Sequence, residues 1–354
     1  MIRIDINNKT QKEIETLHWS WFFYRFKEKY KNSALKEARN IKKILRLKHI
    51  NEVRLIVIGD YSYLEYFKNT IKKIDDTNPN YEIIKNYFGY ENFKKGNYQT
   101  SVKWDAYKFT KALQVDVCPY CNRQYIFTIN KNKKICRPEI DHFFPQSLYP
   151  YLSGSLYNFI PSCHICNHGK RDFGEGILYP YKEGFGTKFP FRVKFGKEAD
   201  KSNDLINIDN VQVFFDSKDC KIDQTKREIC QKCLKIQKSI KTFHLGGIYN
   251  KHKIELKDLF DRYRNYCQPK RKDILRLFHE DELKDKLKNL DIKNEKIRDK
   301  QIDAILSLYA KKMKNMFLGL PLGAEGKEYP LRKFKKDIIE QLDLTWNSMN
   351  KEQE

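Results

Sequence analysis

Cys118-Pro-Tyr-Cys121, Pro138-Glu-Ile-Asp-His-Phe-Phe-Pro-Gln-Ser147 and Ser155-Leu-Tyr-Asn-Phe-Ile-Pro-Ser-Cys-His-Ile-Cys-Asn-His-Gly-Lys170 all fall within residues 118–170 of a 354-residue chain. The outer strings contain two C-x-x-C knuckles, Cys118/Cys121 and Cys163/Cys166. Each knuckle presents two sulfurs from one tight turn, so the pair suits a closed tetrahedral site for structural Zn²⁺. Such a site pins two distant segments together where little apolar core is available to do so. Four buried thiols without metal are the alternative.

Between the knuckles stands Asp141-His142, followed by Asn158 and, directly after Cys166, Asn167. A carboxylate and an amide oxygen are hard donors, so Asp141 and Asn167 could share one Mg²⁺. His142, with an ordinary pKa near 6.5, can be a neutral general base at cellular pH. Lys170 and Arg171 follow within one helical turn and are candidate phosphate contacts, or else solvated charges. His164 and His168 are read as exposed, and Cys136 as a buried thiol. Cys230/Cys233 is a lone knuckle; Cys220, His244, His252 or Cys267 could complete a second zinc site, with burial at a helix interface as the default.

Outward from this segment, Gln124–Ile129 and Ile135–Ile140 read as a zinc-ribbon-like hairpin, and residues 101–113 as a short helix leading into it. Ile2, Ile4 and Ile6 alternate as a strand does. Thr10 and Glu13 form a capping-box pattern that would open a helix carrying the aromatic run Trp19–Phe26, whose spacing favours core over base stacking. Ser33 would cap a second helix near 34–48, and Val53–Ile58 reads as a buried strand ended by Gly59. Beyond Asp223 the pattern is helical and highly charged. The fold class expected is α+β: an α-rich part at 1–110, the zinc-stabilised module at 111–180 and a mainly α-helical part at 181–354.

Composition sets the boundaries of function. Sixty-nine Lys and Arg against 46 Asp and Glu give a net charge of +23, which favours polyanionic partners, nucleic acid first. An AT-rich coding bias that inflates Lys is the alternative source. The surplus sits mainly on the flanks, +9 in 1–110 and +11 in 181–354. No apolar run approaches the roughly 20 residues of a membrane span, and the amino terminus lacks an export signal. Nine cysteines, an odd number, argue against a disulfide framework, and the cytoplasm is the expected compartment.

Asp141-His-Phe-Phe-Pro145, Asn158 and Cys163-x-x-Cys166-Asn167-x-x-Lys170 resemble the HNH, or ββα-metal, endonucleases over roughly 55 residues. The resemblance implies hydrolysis of a phosphodiester, DNA favoured, with Mg²⁺ or Mn²⁺ as catalytic cofactor. By position, Asp141 matches the metal-binding acid, His142 the general base, Asn158 the central Asn that steadies the loop, and Asn167 the final metal ligand. Asn stands where many members have His, a variant also found in the HNH domains of type II CRISPR effectors. Tyr149-Pro150 and Phe159–Cys163 further resemble HNH proteins of bacterial antiphage systems of the Septu and retron-associated type, which implies a defence effector accompanied by an ATPase partner. A single such site per chain cuts a duplex only through a homo-oligomer, a multimeric complex or two visits. The competing readings are a catalytically silent, zinc-stabilised nucleic-acid-binding or adaptor subunit, and an HNH nuclease acting on RNA or tRNA.

Overall fold

The computed structural model describes residues 1–95, 102–130, 134–173, 175–186, 189–195, 211–216, 230–266, 314–315, 317–320 and 329–351. It is a mixture of helices and small antiparallel sheets, as an α+β chain requires. Two compact units emerge. One comprises Met1–Lys188, Cys220–Leu245 and Gly326–Pro330; the other comprises Phe189–Asp219, Gly246–Glu325 and Leu331–Glu354. Residues 1–110 and 111–180 thus belong to the same unit.

In the first unit, α1 (Asn8–Tyr30) opens at Asn7, whose side chain accepts from Thr10 N at 2.9 Å. The helix therefore begins earlier than the Thr10 pattern indicates, because Asn is at least as good an N-cap as Thr. Its buried stripe runs through Ile14, His18, Trp21, Phe22, Arg25 and Phe26. Phe23 and Tyr24 remain exposed, so only part of the aromatic run is core. The chain continues through α2 (Ala34–Ile44), α3 (Glu52–Ile58), α4 (Tyr61–Ile71), α5 (Tyr81–Phe88), α6 (Glu91–Lys95) and α7 (Ala106–Leu113). Ser33 precedes α2 but donates its hydroxyl to Tyr30 O instead of capping.

Val53–Ile58 is helical, not a strand. Val53, Ile56 and Val57 are the residues it buries, an i, i+3, i+4 set that a six-residue apolar run conceals. Ile2 and Ile4 are extended and bond to Pro119 O and Pro180 O at 2.9 and 2.8 Å, but they join no sheet.

The hairpin is shorter than its pattern: β1 (Ile129–Asn130) pairs with β2 (Lys134–Cys136), and Tyr125 makes only an isolated bridge to Val117. Pro138 follows β2 and, lacking an N–H, cannot extend its ladder. Ile140 belongs instead to β3 (Glu139–His142), which pairs antiparallel with β4 (Phe159–Ser162). Helix α8 (His164–Lys170) follows at once, and α9 (Gln231–Thr242) completes the unit. Phe159 lies at the centre, fully buried among Phe93, Phe109, Tyr90, His18 and His142.

The second unit contains β5 (Phe191–Phe195), β6 (Val211–Phe215), α10 (Leu245–Asn250), α11 (Lys253–Tyr266) and α12 (Arg332–Lys351). Val193 and Val213 face each other across the two-stranded sheet. Gln341 takes the N–H and C=O of Val193, both at 2.9 Å, and Asn250 takes those of Val213 at 3.0 and 2.9 Å. Two amide side chains thereby satisfy backbone groups that a sheet this narrow leaves bare. No helix among the described residues is long and apolar enough to cross a membrane.

Candidate functional site

Cys118, Cys121, Cys163 and Cys166 converge as the knuckle spacing predicts. All four are buried, with their sulfurs within 4.8 Å of one another. Cys121 and Cys163 lie 3.9 Å apart, close to the roughly 3.8 Å separation that Zn–S bonds of about 2.3 Å impose on a tetrahedron. The first knuckle closes through Asn122 N donating to Cys118 O at 2.7 Å, with Asn122 in the left-handed region at φ 50°. Mutual hydrogen bonding pulls the Cys121 and Cys163 thiols below their ordinary pKa; burial pushes Cys118 up, and its hydrogen-bonded neighbours push Cys166 up. Four buried sulfurs this close together form a group that could hold a metal such as zinc.

The second knuckle also starts α8. Cys163 is its N-cap, and Cys166, Asn167 and Lys170 follow at helical spacing, on the side that packs on β3. On β3 the alternation puts Glu139 and Asp141 on one face, and Ile140 and His142 on the other. Asp141 is almost fully buried and both its oxygens are engaged. Oδ1 accepts from Lys170 Nζ at 3.0 Å and Oδ2 from the Tyr120 hydroxyl at 2.6 Å. Lys170 also donates to His142 O at 2.7 Å and has no exposed surface. It is an internal cation locking helix to strand, which corrects its assignment as a surface phosphate contact. Arg171, the next residue, is exposed.

His142 points the other way, against the edge of Tyr90 at 4.7 Å between ring centroids. Its Nε2 lies 3.0 Å from Ser153 O. A carbonyl only accepts, so Nε2 carries the proton of the neutral ring and Nδ1 keeps the lone pair. Burial lowers the His142 pKa to about 4, and the Ser153 hydrogen bond only partly opposes it. Asn158 laces the loop that turns behind this ring. Its Oδ1 accepts from Phe144 N at 2.7 Å, and its Nδ2 donates to Phe144 O and Leu152 O, each at 3.0 Å. Asn158 thereby ties Phe144 to Leu152 within one loop.

Asp141 and Asn167 do not partner each other. Asn167 Nδ2 donates to Glu139 Oε2 at 2.7 Å, and His164 Nδ1 lies 2.7 Å from Glu139 Oε1. Partial burial alone would raise the Glu139 pKa, but these hydrogen bonds outweigh it and lower it. The side chains that touch across the β3–α8 seam are thus Glu139 and Asn167, while Asp141 is held by Lys170 and Tyr120. Sequence reasoning missed Glu139, although its position two residues before Asp141 on a strand puts it on the same face. His164 and His168 are exposed as expected, their rings 4.9 Å apart.

Cys136 is exposed, because the short β1–β2 hairpin leaves one face uncovered. Cys230 is exposed, whereas Cys233 is buried, in line with the default reading, and disulfide-bonded. Cys220 and Cys267 lie outside the described residues. Among the described residues, the four-cysteine cluster is the group of Cys, His and acidic side chains able to hold a metal. Comparison with protein-family models, with curated proteins and with solved structures finds no match to this chain.

Proposed function

We propose that the chain is a metal-dependent endonuclease of the HNH type that hydrolyses phosphodiester bonds, with DNA the favoured substrate. The observation that carries this reading is the orientation of His142. Its Nε2 is committed to Ser153 O, which leaves Nδ1 as the atom able to take a proton from an attacking water. The lowered pKa keeps that lone pair available at cellular pH. Asn158 holds the surrounding loop in place, and Arg171 offers an exposed cation for the substrate phosphate. Asp141 and Asn167 would hold Mg²⁺ or Mn²⁺ once Lys170 releases Asp141 and Asn167 turns its amide oxygen from Glu139. When bound, the ion supplies Lewis-acid polarisation of a phosphoryl oxygen and stabilises the leaving 3′ oxygen. The net charge of +23 suits a nucleic-acid partner.

The same reading makes the chain a cytoplasmic effector of antiphage defence, restrained by an ATPase partner or by assembly into a homo-oligomer or larger complex. The test is cleavage of supercoiled plasmid, linear DNA, single-stranded DNA and total RNA by wild type and His142→Ala, with Mg²⁺, Mn²⁺ or EDTA. Metal-dependent cutting that disappears in the folded, zinc-loaded variant supports the nuclease; cutting confined to RNA moves it to the RNA-cleaving class.

One observation favours a silent scaffold instead: both Asp141 oxygens are already satisfied by protein. Cleavage by wild type that survives unchanged in His142→Ala would remove His142 from the chemistry, and nucleic-acid binding without cleavage when the partner is supplied would decide for the zinc-stabilised binding or adaptor subunit.

A further inference from the structure

His142 leans on the carbonyl of Ser153, and the next carbonyl along the loop, that of Gly154, is held by a second histidine. His18, midway along α1, places Nε2 2.9 Å from Gly154 O. On the opposite side of its ring, Trp104 Nε1 lies 3.1 Å from His18 Nδ1. A carbonyl can only accept and an indole N–H can only donate, so both contacts require the same neutral ring, protonated on Nε2. His18 has no exposed surface, and burial, offset in part by the Gly154 bond, lowers its pKa to about 4. The two imidazoles also share a neighbour: Phe159 meets His18 and His142 edge-on, at 5.8 and 5.4 Å between centroids.

The loop that carries these carbonyls has little room to shift. A Cβ on Gly154 would sit 2.3 Å from Phe88 O, so the backbone there is pressed against the end of α5. The Ser155 hydroxyl donates to Ile56 O in α3. Three helices of the amino-terminal region therefore fix residues 153–155, and of their contacts only that of His18 sets the direction of a carbonyl adjacent to the one His142 uses.

We infer that His18, oriented by Trp104, is a positioning residue for His142: by holding the Gly154 peptide it aims the Ser153 carbonyl at His142 Nε2 and so keeps the His142 lone pair on Nδ1. The function of this relay rests on the nuclease reading; its structural half does not. Removing the His18 donor lets the Ser153–Gly154 peptides rotate and releases His142 to exchange tautomers.

The test compares full-length, zinc-loaded wild type with His18→Gln and His18→Leu. A Gln amide can donate to Gly154 O and accept from Trp104, whereas Leu can do neither. Nitrogen-15 long-range correlation spectra report the His142 tautomer directly, without any substrate. The expected result is an Nε2–H ring in wild type and His18→Gln, and a mixture of tautomers in His18→Leu. In the cleavage assay kcat should fall roughly tenfold or more in His18→Leu, with KM unchanged, and recover in His18→Gln. A single Nε2–H tautomer for His142 in folded His18→Leu overturns the inference whatever the activity. Should His18→Leu fail to fold, Trp104→Phe takes its place: it keeps an aromatic ring at the position, removes the donor that fixes the His18 ring, and must loosen the His142 tautomer in the same way. Absence of cleavage by wild type would count against the nuclease reading alone, since the spectra still decide the relay.

Discussion

Replacing Lys170 by Met removes the ammonium from a pair in which neither partner reaches water: the side chain of Lys170 is 0% exposed and that of Asp141 5%. Breaking a buried ion pair from one side costs about 3–5 kcal/mol, because the remaining charge stays buried without its counter-ion. Here Tyr120 still donates to Asp141 at 2.6 Å, so the lower end applies, about 3 kcal/mol. The lost contact with His142 O adds an unsatisfied carbonyl to the same strand. Native-state hydrogen exchange of the β3 and β4 amides reads this locally, without assuming that the two units unfold together. A 3 kcal/mol loss accelerates exchange roughly 10²-fold. Adding Asp141→Asn to Lys170→Met removes the stranded charge and should restore most of the protection, giving a coupling energy of about 2 kcal/mol or more. Acceleration below threefold, or a double variant that loses the sum of the two single effects, would refute the buried, desolvated pair.

Two further outcomes are expected. His18 and His142 are each held near pKa 4 against an ordinary 6.5, so between those values the folded chain binds fewer protons than the unfolded one. Their contribution is complete above about pH 6.5 and is lost as pH falls toward 4, by about 3 kcal/mol for each ring; thermal unfolding of wild type and His18→Gln from pH 7.5 to 4.5 should show a shallower acid loss in the variant, and identical slopes would reject a neutral buried His18. Cys121→Ser should drop zinc from about one equivalent per chain to near none, and should expose residues 117–170 to limited proteolysis while the second unit stays resistant; full zinc content in the folded variant would remove the metal from the four-cysteine cluster.

What could be read from the sequence follows the distance over which each contact acts. The cysteine knuckles were legible because two residues between thiols dictate a turn, and two such turns dictate a partner. Asn158, singled out by a resemblance, acts locally, bonding Phe144 and Leu152. Val53–Ile58 misled because six apolar residues fit a buried strand or the inward face of α3 equally well, and only packing against α1 decides. Lys170 misled in another way: a lysine at the end of a helix ordinarily reaches solvent, and nothing nearby in the chain announces that Asp141, 29 residues earlier, will close over it. His18 was invisible for the same reason, since Gly154 is 136 residues away.

The placement of Phe159 bears on whether residues 111–180 could stand alone. Its ring belongs to β4, yet the walls around it are Phe93 and Phe109 from α6 and α7 and Tyr90 from the turn between α5 and α6. The segment 111–180 is thus not a portable cassette. Lifted out, it would present that ring, the backs of Tyr151 and Leu152 and the loop behind His142 to water, and only the four sulfurs would travel with it intact. The segment therefore depends on the aromatic wall supplied by residues outside it as much as on its own.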